Sequence, residues 1–235
     1  MGGALTTIGF DADDTLWHNE RYFALSHDRF AALLAEHSKR DHLMARLLEA
    51  ERRNLPHYGY GIKGFTLSMI ETAIEVTEGK VPAEVISDLL AAGREMLDHP
   101  IELLPHVEDV LETLRGDYRL IVVTKGDLLD QERKLAQSGL RERFDAVEIV
   151  SHKTEAAYRH IFKQHGQGAA RGLMVGNSLA SDVRPMIEAG GWGVYVPHDL
   201  TWAMEHAEPP TNSPRFVEIK DLSGLPETVK KIVSG

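Results

Sequence analysis

The 235-residue chain contains no cysteine. Disulfides, thiolate metal sites and cysteine nucleophiles are therefore excluded, and the absence suits a reducing cytoplasm. Cations are outnumbered: 26 Lys and Arg stand against 36 Asp and Glu, a formal net charge of -10. That balance argues against nucleic acid or an anionic membrane surface as a general partner. No apolar run is long enough to span a bilayer. The N-terminus has neither the basic segment nor the apolar core of a signal peptide, so the expected location is the cytoplasm. There is no internal repeat and no low-complexity segment. Among the 12 histidines, no pair is spaced along the chain like metal ligands.

What is present is ordinary in bulk and organised in detail. Hydrophobic residues make up 43% and charged residues 26%, which places the chain among globular proteins of one large or two modest domains. Residues 5–10, LTTIGF, read as a short buried strand. From about 20 to 98 the spacing of apolar residues is helical, as in RYFALSHDRFAALLAEH, DHLMARLLEAERRN, FTLSMIETAIEVTEG and PAEVISDLLAAGREML. These make about four helices, enough for a small bundle, and Pro82 marks the start of one. The stretch 55–64, LPHYGYGIKG, is expected as a loop between two of them.

After Pro105 the pattern alternates. Helices at 106–115, 127–138, 154–165 and 182–189 lead into strands at 118–124, 144–150, 171–176 and 192–197. Unbroken Val and Ile runs indicate strands buried on both faces, as in a parallel sheet covered by helices. The expected fold is α/β: a doubly wound, Rossmann-like parallel-sheet core formed by residues 1–16 and 101–235. A helical-bundle cap, residues 17–100, is inserted after the first strand. Gly190-Gly191 is expected to stop a helix.

Ligands of open α/β sheets bind beyond the carboxyl ends of the strands. Strand one runs into Asp11-Ala12-Asp13-Asp14, three aspartates within four positions. Carboxylates so close repel, and burial sharpens the repulsion, so a cation or chemical work is expected there. The later strands end at Thr124-Lys125, at Ser151-His152-Lys153 and at Gly176-Asn177-Ser178 with Asp182 beyond. Carboxylates, a hydroxyl, lysines and an amide thus converge on one sheet edge.

With these residues in place the chain resembles haloacid dehalogenase-like (HAD) superfamily hydrolases of the helical-cap phosphatase type. The resemblance rests on D-x-D-x-T at 11–15, Thr124 after a hydrophobic strand, Lys153, and G-N-S-x-x-S-D at 176–182. It implies a Mg²⁺-dependent phosphatase acting on a small phosphorylated metabolite. Asp11 would be the nucleophile that forms an aspartyl-phosphate. Asp13, two residues on and so on the same side of extended chain, would be the acid and base. Thr124 and Lys153 would bind the phosphate, Lys153 also neutralising Asp11. Asp11, the Asp13 carbonyl, Asn177 and Asp182 would hold the metal, all as hard oxygen ligands. Lys125 either adds charge at the phosphate or points to solvent. Asp14 is expected to cap or bind backbone, and Thr15 to fix the turn.

Two positions depart from the family pattern: Asn177 stands where Asp is frequent, and Lys125 where Asn is frequent. The rival readings are a 2-haloacid dehalogenase, a phosphomutase and a HAD-fold regulatory protein with weak catalysis. Dehalogenase relatives lack the second aspartate, and this chain has Asp13. The cap is expected to set specificity, with Tyr58, Tyr60 and Lys63 either reaching substrate or packing the cap. His18, just after the first motif, and His106, near a hinge, are expected at the surface.

Overall fold

The computed structural model describes residues 5–234. Among them, six strands form one all-parallel sheet in the order β3-β2-β1-β4-β5-β6. The strands are β1 (Thr7–Phe10), β2 (Arg119–Lys125), β3 (Ala146–Val150), β4 (Gly172–Gly176), β5 (Trp192–Tyr195) and β6 (Phe216–Glu218). The strand order reverses direction between β1 and β4, where doubly wound sheets open a crevice for ligands. Register places Phe10 beside Val122 on one side and Val175 on the other, so the chains leaving β1, β2 and β4 emerge together.

Helices α1 (Glu20–Leu33), α2 (Arg40–Tyr58), α3 (Ile62–Val76) and α4 (Ala83–Asp98) follow β1. After them come α5 (Val107–Leu114), α6 (Leu128–Gln137), α7 (Glu155–Gln164), α8 (Arg184–Glu188) and α9 (Leu225–Ser234). The chain divides into two compact units. One takes in the chain up to Glu20, Ile101–Lys125 and everything from Gln131; the other takes in Arg21–Pro100 with Gly126–Asp130. No helix among the described residues is long and apolar enough to cross a membrane.

The α/β unit has apolar layers on the sheet. Ile8, Phe10, Leu120, Val122, Leu173, Val175 and Val194 join Leu111 and Leu225 in one cluster. Ile121, Val123 and Met174 join Tyr158, Ile161, Phe162 and Met186 in another. Neighbouring strand residues thus go to opposite faces and both faces are covered, which is why the strands read as unbroken apolar runs. The helical unit has its own core of Phe30, Leu34, Leu43, Leu47, Met69 and Leu89, each essentially inaccessible. Each such side chain contributes about 1.5–3 kcal/mol on burial.

Two expectations change. The break at 55–64 shrinks to three residues, because α2 runs on to Tyr58 with Pro56 inside its last turn and α3 begins at Ile62. Pro56 removes one main-chain donor from that turn but the helix ends two residues later, and Gly59 and Gly61, both at positive φ, then make the turn. The sheet also gains β6 and the chain gains α9, beyond the five strands and the helices expected. At three half-exposed residues β6 is too short to show a period.

Candidate active site

The turn after β1 is wound around one carbonyl. Ala12 O accepts the N–H groups of Thr15, Leu16 and Trp17 at 2.8–3.4 Å, and Asp14 N donates to Trp17 O at 2.8 Å. Asp14 takes up a left-handed backbone, φ 60°, which Asp tolerates better than most residues. Among the described residues, the Asp13 carbonyl accepts none of these main-chain bonds. The three aspartates leave this turn with three different sets of partners.

Asp11 is almost fully buried and pairs with Lys153, which follows β3. The same ammonium reaches Asp182 Oδ1 at 2.7 Å. Thr15 Oγ donates to Asp11 Oδ2 at 3.1 Å and accepts the Asn177 main-chain N–H at 3.2 Å, tying the first motif to the chain after β4. Burial pushes the Asp11 carboxyl up to about 7, with Asp182 adding to the rise and Lys153 only partly offsetting it. Burial works against the Lys153 charge, but Asp11 and Asp182 outweigh it and hold its pKa above the usual lysine range.

Asp13 faces α6. Its Oδ1 accepts from Trp17 Nε1 at 2.8 Å and Lys134 Nζ at 3.0 Å; its Oδ2 accepts from Gln131 Nε2 at 2.9 Å and Lys134 Nζ at 3.1 Å. Burial raises the Asp13 carboxyl, yet Lys134, Gln131 and Trp17 together more than offset it and hold it below the usual range. Asp14 accepts from the main-chain N–H groups of Asn19, at 2.8 Å, and Glu20, at 2.9 Å, where α1 begins. It is therefore the backbone cap expected of it, and Thr15 is the local fastener.

The chain after β4 is shaped by a close approach. A Cβ at Gly176 would collide with the Asp182 carboxylate, so glycine there lets that carboxylate reach the strand end. Residues Leu179–Val183 form a wide π-type turn capped by Ser178, whose Oγ accepts from Ser181 N at 2.9 Å. Asp182 is no cap: its Oδ2 accepts from Ser178 N at 2.9 Å while Oδ1 faces Lys153.

Lys125 does not turn to open solvent. It pairs with Glu205 and reaches Ser181 Oγ at 2.7 Å. Glu205 Oε2 in turn accepts from Ser178 Oγ at 2.5 Å and Ser181 Oγ at 2.6 Å. Burial would raise the Glu205 carboxyl, but Lys125 and the two serines hold it low. Thr124 is buried at the end of β2, its hydroxyl 3.4 Å from Lys125 O. In the helical unit, Lys63 pairs with Asp127 at 2.9 Å and Tyr58 is exposed.

Sequence reading missed Glu205, Lys134, Gln131 and His198. Glu205 lies in an aperiodic, proline-containing segment that carries no signal. Lys134 and Gln131 had a faint one: they share a helix face with Leu135, so polar residues occupy an inward stripe. His198 and His18 are 180 positions apart, yet with Asp14 they bring one carboxylate and two imidazoles within 4.8 Å of one another. His198 Nε2 lies 3.5 Å from Asp14 Oδ1. A mixed N/O set of this kind suits a borderline metal.

As ligands, Asp11, Asp182, the Asn177 amide oxygen and the Asp13 carbonyl would present only oxygen, a donor chemistry that suits a hard cation. Asp11, Asp13, Asp14, Asp182 and Glu205, five carboxylates, stand against three lysines, Lys125, Lys134 and Lys153, an excess of two negative charges when all are ionised.

Known proteins share the fold that carries these residues. A family model described as haloacid dehalogenase-like hydrolase matches residues 5–190. A haloacid dehalogenase-like family hydrolase from Xanthomonas campestris is 40% identical with a TM-score of 0.88, over 99% of this chain and 94% of that one. L-2-haloacid dehalogenase from Xanthobacter autotrophicus shares the fold, with a TM-score of 0.66 at 18% identity, over 96% and 98% of the two chains. The pyrimidine 5'-nucleotidase YjjG of Escherichia coli (strain K12) is 30% identical over 93 residues, 37% of this chain and 41% of that protein's length. With the motif turn, the parallel sheet and a family match over most of its length in agreement, this chain is a hydrolase of the haloacid dehalogenase-like family.

Proposed function

We propose that the protein is a Mg²⁺-dependent phosphatase that hydrolyses a small phosphate monoester through an aspartyl-phosphate. The observation that carries this reading is the separate holding of two carboxylates. Asp11 is paired with Lys153, and Asp13 is held apart by Lys134, Gln131 and Trp17. Each carboxylate has its own partners, and a nucleophile and a separate acid/base need to be held independently in this way.

In the first step an Asp11 oxygen bonds to phosphorus as the ester P–O bond breaks, and Asp13, which must be protonated for this step, gives that proton to the departing oxygen. In the second, water attacks the phosphorus and loses a proton to Asp13. The P–O bond to Asp11 then breaks, releasing inorganic phosphate and restoring both carboxyls. Lys153 balances charge on Asp11 and on the transferring group, and Thr124 donates to a phosphate oxygen. Family hydrolases generally use a divalent metal. Asp11, the Asp13 carbonyl, Asn177 and Asp182 would hold it, and it would supply positive charge to the phosphate oxygens. Lys125 acts through the loop it fastens.

The dehalogenases share this fold, so fold alone does not choose between carbon and phosphorus; Asp13 favours phosphorus. A cytoplasmic small-molecule phosphate ester is the expected substrate. The partial match to a pyrimidine 5'-nucleotidase puts nucleoside monophosphates among the first to assay. The test is a screen of sugar, nucleotide and short-chain acid phosphates with Mg²⁺ and with EDTA, beside Asp11→Asn. Turnover should require the metal and fall at least about a thousandfold in the variant. Metal-independent turnover, or halide release from a 2-chloroacid, would falsify it. Asn177→Asp should tighten Mg²⁺ binding in calorimetry if residue 177 ligates the ion.

A further inference from the structure

The lysine of α6 has no part in the chemistry described so far, yet it is one of the most completely engaged side chains in the protein. Its side chain is only 7% exposed. An ammonium has three protons to give. Lys134 faces both Asp13 oxygens, at 3.0 and 3.1 Å, and Asn19 Oδ1 at 2.8 Å. Taking an ammonium out of water is costly, so this placement needs a reason.

We propose that Lys134 is a positioning residue for Asp13, with Gln131 one turn earlier on the same helix face as its partner. The inference rests on the reading of Asp13 as acid and base. An aspartate side chain rotates among staggered states. The Asp13 side chain is 23% exposed, so packing alone does not choose one. Four hydrogen bonds from three side chains do. The donors are themselves fixed: the Trp17 indole is buried, and Gln131 Nε2 also donates to Lys125 O at 3.0 Å, at the end of β2. The clamp therefore registers Asp13 to the β2 strand end that presents Thr124. It also gives the second aspartate of the motif its own counter-charge, separate from the lysine that serves Asp11. A displacement of about 1 Å in a proton-transferring group costs about 100-fold in rate.

The test is a double-mutant cycle of Lys134→Met and Asp13→Asn in the full-length protein with Mg²⁺. Turnover is read on p-nitrophenyl phosphate and on the best ester of the screen, beside a crystal structure of Lys134→Met. Expected are a fall in kcat of about 10- to 100-fold with KM little changed, and no further loss when the substitution is added to Asp13→Asn. The Asp13 carboxylate should be displaced or split between conformers. Effects that multiply across the two sites, an unchanged kcat, or an Asp13 carboxylate that keeps its single position would overturn the proposal. An Asp13→Asn protein with full activity would instead sink the acid/base reading itself. If Lys134→Met does not fold, Gln131→Leu removes one donor from the same carboxylate and should give a smaller loss with the same non-additivity.

Discussion

The strand ends of the α/β unit and the surface of the helical unit handle charge in opposite ways. At the strand ends the pairs are sunk: Lys153, Asp11 and Asp182 have side chains 2%, 9% and 1% exposed. Lys125 and Glu205 are near 15%. In the helical unit the pairs ride the surface: Arg29–Glu95, Arg46–Glu75 and Arg53–Glu71 are all about a third exposed or more, at least on one partner. Surface pairs contribute little because water does nearly as well for each partner. Buried ones are expensive to assemble and are kept where chemistry needs unsolvated charge. The helical unit has an apolar core of its own to stabilise it.

That contrast can be broken by substitution. The largest effect is expected from Lys153→Met, which leaves Asp11 and Asp182 facing each other without a cation. In EDTA it should lower unfolding free energy by about 3–5 kcal/mol in denaturant titration, with Mg²⁺ restoring part of the loss. Phe30→Ala, in the core of the helical unit, should cost about 3–5 kcal/mol through lost burial and the cavity left behind, with no change in metal dependence. Glu205→Gln leaves Lys125 without its counter-charge and should cost no more than about 3 kcal/mol, less than Lys153→Met because the pair is wetter. The Glu205 carboxyl is held below the ordinary glutamate value of 4.5, so its contribution is present above that pH and lost as pH falls through its folded pKa. The variant should therefore lack that part of the acid-induced loss seen in the parent. Arg46→Ala, at the surface of the helical unit, should move stability by at most about 1 kcal/mol. An Arg46→Ala loss as large as that of Lys153→Met would end the comparison.

What could be read from sequence follows from range. Strand β1 and its turn are local, and a run such as LTTIGF ending in DADDT carries both its burial and its stop within ten residues. The four helices of the insert declare themselves by period, and the one misjudged break came from reading the whole Gly- and Tyr-rich stretch 55–64 as loop when α2 runs on to Tyr58 and α3 starts at Ile62. The family's motif residues were readable because each follows a strand. Their partners were not. Lys134 reaches Asp13 across 121 positions, and Glu205 meets Lys125 across 80. Such pairs are made only when the sheet order is known. Nothing in the turn-rich stretch around Glu205 distinguishes it from solvent-facing acidic residues. Asp14 was easier because its bonds run to main-chain groups five and six residues away.

The family match ends at residue 190, but β5, β6 and the acceptor that closes the loop after β4 all come later. Family recognition and cooperative folding therefore have different C-terminal borders in this protein. A fragment cut where the resemblance stops would keep every motif and still expose the edge of β4. It would also strand Lys125, Ser178 and Ser181 without the carboxylate that joins them. The last forty-five residues are part of the apparatus that keeps the motifs in place, and any shortened, fused or permuted form of the protein has to carry them.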